Sequence, residues 1–432
     1  MDLLFLSVVA LAGLALLFDF TNGFMDAANS IATVVATRVM SVRVAVWFSA
    51  TFNFLAYFFV GTAVANTVAK TVESGEAGVA VVFGALVAAI GWNFLAWHRG
   101  IPSSSSHAII GGLIGAGVAA GGLGAVNWHN AGMTVAAIFV SPMVAFAIAA
   151  LATGLVSILQ RLTGWGDDAK PFRGMQVVSA AAVSFGHGAN DAQKTMGIIA
   201  ALFVAAGYVD GPQGSDALPV PWWVAIAAYA AIALGTVWGG WRIIRTMGLR
   251  LTSLNARTGV AANIGATTAI FGATALGVPI STTHAAASSV VGAGTAGRRG
   301  TNWRCVGEMA IAWVVTIPAT CTVGFVLYHL SQLGPILTWL TLGPLLVGLS
   351  AAILWAITHA VGAQEIEAEV SAAADASVPG IACLPVGAEL ATGLVGPLGP
   401  GSLGPEDLVA EALVADALDG FGEPAAPQPH AV

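Results

Sequence analysis

The stretch Phe185-Gly186-His187-Gly188-Ala189-Asn190-Asp191-Ala192-Gln193-Lys194-Thr195-Met196 places an imidazole, two amides, a carboxylate and an ammonium in an otherwise apolar segment. An ionisable side chain at the centre of a helix in lipid costs about 2.5–3.5 kcal/mol on insertion scales. Asp191 and Lys194 therefore either neutralise one another on one helix face or line a site. A second stretch, Gly23-Phe24-Met25-Asp26-Ala27-Ala28-Asn29-Ser30, aligns with Gly188 to Thr195 and carries Asp26 and Asn29 without a lysine. An inert Asp191–Lys194 pair does not explain it. Asp26 with Asn29, and Asp191 with Asn190 and Gln193, offer hard oxygen ligands or proton acceptors, not a soft metal site. Cys305, Cys321 and Cys383 have no metal-ligand or redox spacing, so neither a metal centre nor a cofactor is expected.

A second pair of motifs carries hydroxyls. Pro102-Ser103-Ser104-Ser105-Ser106-His107 aligns with Pro279-Ile280-Ser281-Thr282-Thr283-His284, and the same register carries Gly115 and Gly117 onto Gly292 and Gly294. Each copy precedes an apolar, glycine-spotted segment. A hydroxyl at a helix start caps it, and the exposed N–H groups with the helix dipole form an anion site. Hydroxyls in membrane helices often satisfy only local backbone. Three consecutive ones in each copy (Ser104, Ser105, Ser106 and Ser281, Thr282, Thr283) exceed what one cap needs, and we read them as an oxyanion site. His107 and His284 are expected to orient the turns.

The elements that must position these groups are membrane spans. Of 432 residues, 57% are hydrophobic and 9% charged, against about 25% charged in a soluble domain, and mean hydropathy is +0.84. The net charge of −7 hides two populations: residues 1–363 hold all 15 Lys+Arg and 11 acids (15 − 11 = +4), and residues 364–432 hold the other 11 acids. This excludes a basic nucleic-acid-binding surface. The start Met1-Asp2-Leu3-Leu4 has no basic n-region and no small-residue cleavage site, so the first apolar segment reads as a retained span. Ala/Gly/Val-rich, Lys-poor usage suggests a GC-rich bacterium and its inner membrane.

Apolar segments fall into five before a polar connector and five after it, with an extra one near 335–360. We divide the chain into a first membrane repeat (1–160), a cytoplasmic connector (161–173), a second repeat (174–330), a further C-terminal span (331–363) and an acidic tail (364–432) with eight prolines, read as disordered. The fold class is all-α and polytopic, with about 10–12 transmembrane segments, two repeats with broken helices, the first segment broken at Asn22-Gly23 and the helix loosened by the glycines that flank His187, and hydroxyl-rich hairpins or half-helices. Arg-bearing loops alternate with acidic or neutral ones, with Lys70 the exception. By the positive-inside rule the second repeat is inverted, the arrangement of secondary transporters.

Two carboxylates beside an anion repel it by about 4 kcal/mol per contact at 4 Å and an effective dielectric of 20. Each net negative charge moved into a cell costs about 2.3 kcal/mol per 100 mV. Co-transported cations relieve both. Only a protonated oxyanion can donate to a carboxylate, which favours phosphate over sulfate.

At these residues the chain resembles the inorganic phosphate transporter (Pit) family, whose duplicated Gly-x-Asn/His-Asp-x-x-Asn motif and Pro-x-Ser-Thr-Thr-His turn it matches over about residues 10–330. The resemblance implies a bacterial low-affinity carrier, not an enzyme. It implies import of inorganic phosphate, alone or complexed with a divalent metal, with H+ or Na+. Phosphate is then expected between the Ser104–Ser106 and Ser281–Thr283 turns, with Asp26, Asn29, Asn190 and Asp191 nearby, and the cation at Asp26, Asp191, Lys194, Asn29 and Gln193. Met25 and Lys194 depart from the motif. A fixed ammonium at 194 can replace one bound cation, so protons are preferred to sodium. The partners are phosphate, a coupling cation and the bilayer, and homo-oligomerisation is left open. A carrier for another tetraoxyanion such as sulfate and an anion-conducting channel are the alternatives.

Overall fold

Residues 3–72, 78–211, 218–358 and 362–375 are described by the computed structural model. The first half contains α1 (Leu3–Ala36), α2 (Val42–Leu55), α3 (Ala63–Ala69), α4 (Val79–His98), α5 (Ser105–Gly121) and α6 (Trp128–Thr163). The second repeats the series as α7 (Lys170–Ala205), α8 (Trp222–Trp238), α9 (Trp241–Arg245), α10 (Ala256–Ala275), α11 (Thr282–Ala296) and α12 (Trp303–Ser331); α13 (Pro335–Thr358) and α14 (Ala363–Asp375) follow. No β-strand occurs among the described residues. Corresponding helices start alike: Asn127 caps α6 through Asn130 N, and Asn302 caps α12 through Cys305 N. Each half also folds its hydroxyl motif into a hairpin, α4–α5 and α10–α11. The hairpins are exchanged, with α5 packed on α12 and α11 on α6, so neither half is complete alone.

The expected break in α1 is corrected by the structure, and α7 is not interrupted at the glycines around His187 either: both helices run unbroken through Gly23 and Gly188. These glycines serve close approach. A Cβ on Gly23 would lie 2.0 Å from Ile232 O of α8, and one on Gly188 2.3 Å from Asn53 O of α2. Small residues at such crossings let helices pack where no hydrophobic force drives them together. The breaks fall in the partner helices instead. The α2 and α3 segments meet at 87°, and α8 meets the segment running from α9 to Arg250 at 67°.

Among the described residues, five helices are long and apolar enough to cross a membrane, or seven if each bent pair is one span. The larger number expected from sequence also counts α7, α10, α11 and α13. Polar residues lower the apolarity of α7, although it is 36 residues long.

The connector is structured. Asp167 accepts from Gln160 Nε2 at 2.8 Å, Asn255 Nδ2 at 2.6 Å and Arg257 Nε at 2.9 Å, and pairs with Arg299. Partial burial works against its ionisation, but these hydrogen bonds and both guanidinium charges hold the carboxyl below its ordinary range. The clasp therefore stabilises the fold above that range and weakens as pH falls through it.

The expected disorder from residue 364 is also corrected. Residues 363–375 are helical because Glu365 and Glu369, one turn apart, face Arg245, while Ile366 and Val370 are buried. Arg38 Nη2 also donates to Val370 O at 2.8 Å. Ile366→Ala is expected to weaken this docking by about 2 kcal/mol, read as faster amide exchange over 362–375 with α1 unchanged. Residues 376–432, including Cys383 and most of the acidic tail, lie outside the described residues.

Candidate functional site

Polar residues of α1 recur at helical spacing: Asp19, Asn22, Asp26, Asn29 and Thr33, all buried. Such a stripe on one face packs beside α7, where His187, Asn190, Asp191 and Lys194 are also buried. The two hairpins complete the site. Ser104 caps α5, accepting from His107 N at 3.2 Å, and Ser281 caps α11, accepting from His284 N at 3.2 Å. Ser106 Oγ donates to Ile280 O at 2.7 Å, and the His107 and His284 rings lie 4.3 Å apart. The starts of both helices, with their positive dipole ends, therefore meet beside the carboxylates.

Hydrogen bonds join the two motifs across the halves. Thr282 Oγ1 lies 3.2 Å from Asp26 Oδ2 and 3.1 Å from Asp191 Oδ2, placed to donate to either. Thr283 Oγ1 donates to Asp26 Oδ1 at 2.8 Å. Asn29 Nδ2 donates to Thr283 Oγ1 at 3.2 Å and Asn22 Nδ2 to Asp191 Oδ2 at 3.3 Å. Lys194 Nζ contacts Asp191 Oδ1 and Ser106 Oγ and donates to Ile280 O at 3.0 Å. So the lysine bridges both turns and the carboxylate, as neither inert pairing nor a free cation would require.

The other expected residues divide. Asn190 Nδ2 donates to Thr274 Oγ1 at 2.9 Å and its Oδ1 accepts from Ile280 N at 3.3 Å, so it holds the second turn in place. Gln193 Oε1 accepts from Val64 N at 2.9 Å and Ala65 N at 3.3 Å, capping α3 away from the cluster. Ser105 Oγ is buried without a partner.

The structure adds His187, which sequence reading noted but did not place in the site. Its Nε2 stands 3.4 Å from Asp191 Oδ2 and 3.8 Å from Asp26 Oδ2, and Nδ1 3.2 Å from Asn53 Oδ1. Asp26, His187 and Asp191 present atoms within 4.8 Å of one another. The Thr282, Thr283 and Lys194 contacts already engage both carboxylates, and we read the group as a hydrogen-bonded ion cluster. Asp19, which makes no hydrogen bond to this cluster, was not singled out from the sequence either. The signal that could have found it is the one that singled out Asp191: a charge deep in an apolar helix.

Fold and site together define a polytopic α-helical membrane protein with a buried ionic cluster between two matched halves. The model of the phosphate transporter family matches residues 22–324, and the chain belongs to that family. A probable low-affinity inorganic phosphate transporter of Rhizobium meliloti is 46% identical over 76% of this chain and 97% of its own. One of the same description from Bacillus subtilis is 40% identical over 76% and 98%. Among solved structures, "The sodium-dependent phosphate transporter" covers 76% of this chain and 99% of that one at TM-score 0.68 and 24% identity, a likeness of fold. With several apolar spans and membership of a transporter family, the chain is a multi-pass protein of the cell membrane.

Proposed function

We propose that the protein imports inorganic phosphate by proton symport, as a carrier with two inverted halves and not as a channel or a catalyst. The observation that carries this reading is Thr282, whose hydroxyl lies within hydrogen-bond distance of Asp26 and Asp191 at once. It joins one oxyanion turn to the carboxylates of both halves. Hydroxyls and helix N–H groups recognise any tetraoxyanion, but a protonated phosphate also donates to a carboxylate, which sulfate does not. Lys194 supplies fixed positive charge where a co-transported cation would otherwise be needed. An anion arriving at Lys194 and Ser106 competes with Asp191 for the same ammonium. Substrate and carboxylate charge are thereby linked, which is the requirement for coupling.

A sodium-coupled reading is favoured by the sodium dependence of the solved phosphate transporter that shares the fold. Against it, the Lys194 ammonium already occupies Asp191. The test is labelled phosphate uptake into proteoliposomes with an inward acid gradient. Uptake is expected without sodium, abolished by a protonophore, saturable, competed by arsenate and little affected by sulfate. A strict sodium requirement overturns proton coupling, and equal competition by sulfate overturns the substrate. Adding divalent metal tests whether phosphate travels as a metal complex.

A further inference from the structure

Asp19 lies on α1 two turns before Asp26, on the face that carries Asn22 and Asn29. It is fully buried, and neither carboxyl oxygen has a hydrogen-bond partner. The titratable and charged groups facing it are Asp191, His187 and Lys194 of α7 and Tyr229 of α8. On the other flank, α4 presents the amide of Asn93 to Thr21. Thr195 Oγ1 stands within reach of the carboxyl and Tyr229 Oη lies where it feels the Asp19 charge; both hydroxyls are buried and neither makes a well-formed hydrogen bond. A buried carboxylate with no donor is strongly disfavoured, whereas a neutral carboxylic acid is far less so. Hydroxyls left unpaired beside it can donate to the carboxylate when it forms.

The repeat shows that this acid is an addition to one half. Asp191 follows Asp26 by 191 − 26 = 165 residues, and the same step carries Asp19 onto Ser184. Ser184 only donates to Ala180 O at 2.9 Å, the ordinary helix hydroxyl bond. The same step carries Asn29 onto Lys194. One half therefore holds an extra acid and the other an extra base, and three carboxyls face one ammonium and one imidazole. A sodium site at Asp19 would draw on backbone carbonyls freed by unwinding, but α1 is helical throughout and keeps its carbonyls in the helix.

We propose that Asp19 is the carboxyl that carries the coupled proton, a role that rests on the proton-symport reading. In that role it is neutral in the conformation described here. On release its O–H bond breaks, the proton passes to water, and the electron pair stays on a carboxylate that Thr195 and Tyr229 can solvate. Reprotonation from the opposite side completes the cycle.

The test uses the full chain in proteoliposomes, with phosphate uptake and internal pH followed together. For one proton per phosphate, a gradient of about one pH unit supports about tenfold accumulation. Asp19→Asn is expected to keep phosphate exchange at equal pH on both sides, and to lose both this accumulation and the proton inflow that accompanies it. Asp19→Glu is expected to restore both. Asp19→Asn protein that still accumulates phosphate and carries protons overturns the assignment alone. Wild-type uptake that needs sodium and ignores the pH gradient overturns the symport reading beneath it. If Asp19→Asn also loses exchange, infrared spectroscopy decides. Loss of a protonated-carboxyl band relative to wild type supports the proposal, and an unchanged spectrum overturns it.

Discussion

Asp191→Asn and Lys194→Met are each expected to destabilise the protein by about 3–5 kcal/mol, and the double variant by less than either alone. Both side chains are about 1% exposed and in contact, so removing one leaves the other without its direct counter-charge in a water-poor interior. Removing both deletes the penalty with the pair. Ser106 and Ile280 O also contact the ammonium, which makes Lys194→Met lose more than one interaction. Thermal unfolding of the four proteins in one detergent gives the coupling energy through a double-mutant cycle. Additive single effects would mean that the contact carries no energy, and the central ion cluster would then be wrongly drawn. Phosphate uptake is expected to fall sharply in the double variant even where stability returns, because the fixed positive charge is gone.

Thr282→Val is expected to raise the phosphate KM on the order of 10- to 100-fold, the worth of one hydrogen bond to a charged group. Ser281→Ala, one residue earlier, is expected to cost about 1 kcal/mol of stability and to leave KM nearly unchanged. Ser281 uses its hydroxyl to cap α11, whereas the Thr282 hydroxyl faces both aspartates. The same contrast is expected between Ser106, which touches Lys194, and Ser104, which caps α5. Uptake kinetics and unfolding temperatures on the same preparations separate the two roles. A KM that rises equally for Ser281→Ala and Thr282→Val would place the whole turn on the substrate.

The sequence by itself determined the class of this protein: composition made it a membrane protein, and two motifs recurring in order made it a duplicated one. Side-chain chemistry also selected Asp26, Asp191, Lys194 and the hydroxyl turns, because charge and clustered hydroxyls within apolar segments are costly enough to be informative without coordinates. Only the tertiary structure decided what each group does. Spacing along the chain does not say which helix a glycine meets, so Gly23 reads as a break and Gly188 as a loosened turn when they are contacts with α8 and α2. Nor does it say whether an amide reaches the ion cluster, and Gln193 instead turns to the start of α3. His187 joins the site because α1 and α7 lie side by side, bringing Asp26 and Asp191 to one imidazole across 165 residues of sequence. A polar group in an apolar helix is legible alone because its cost is local. Its partner is not, because pairing depends on which distant helix the packing brings beside it.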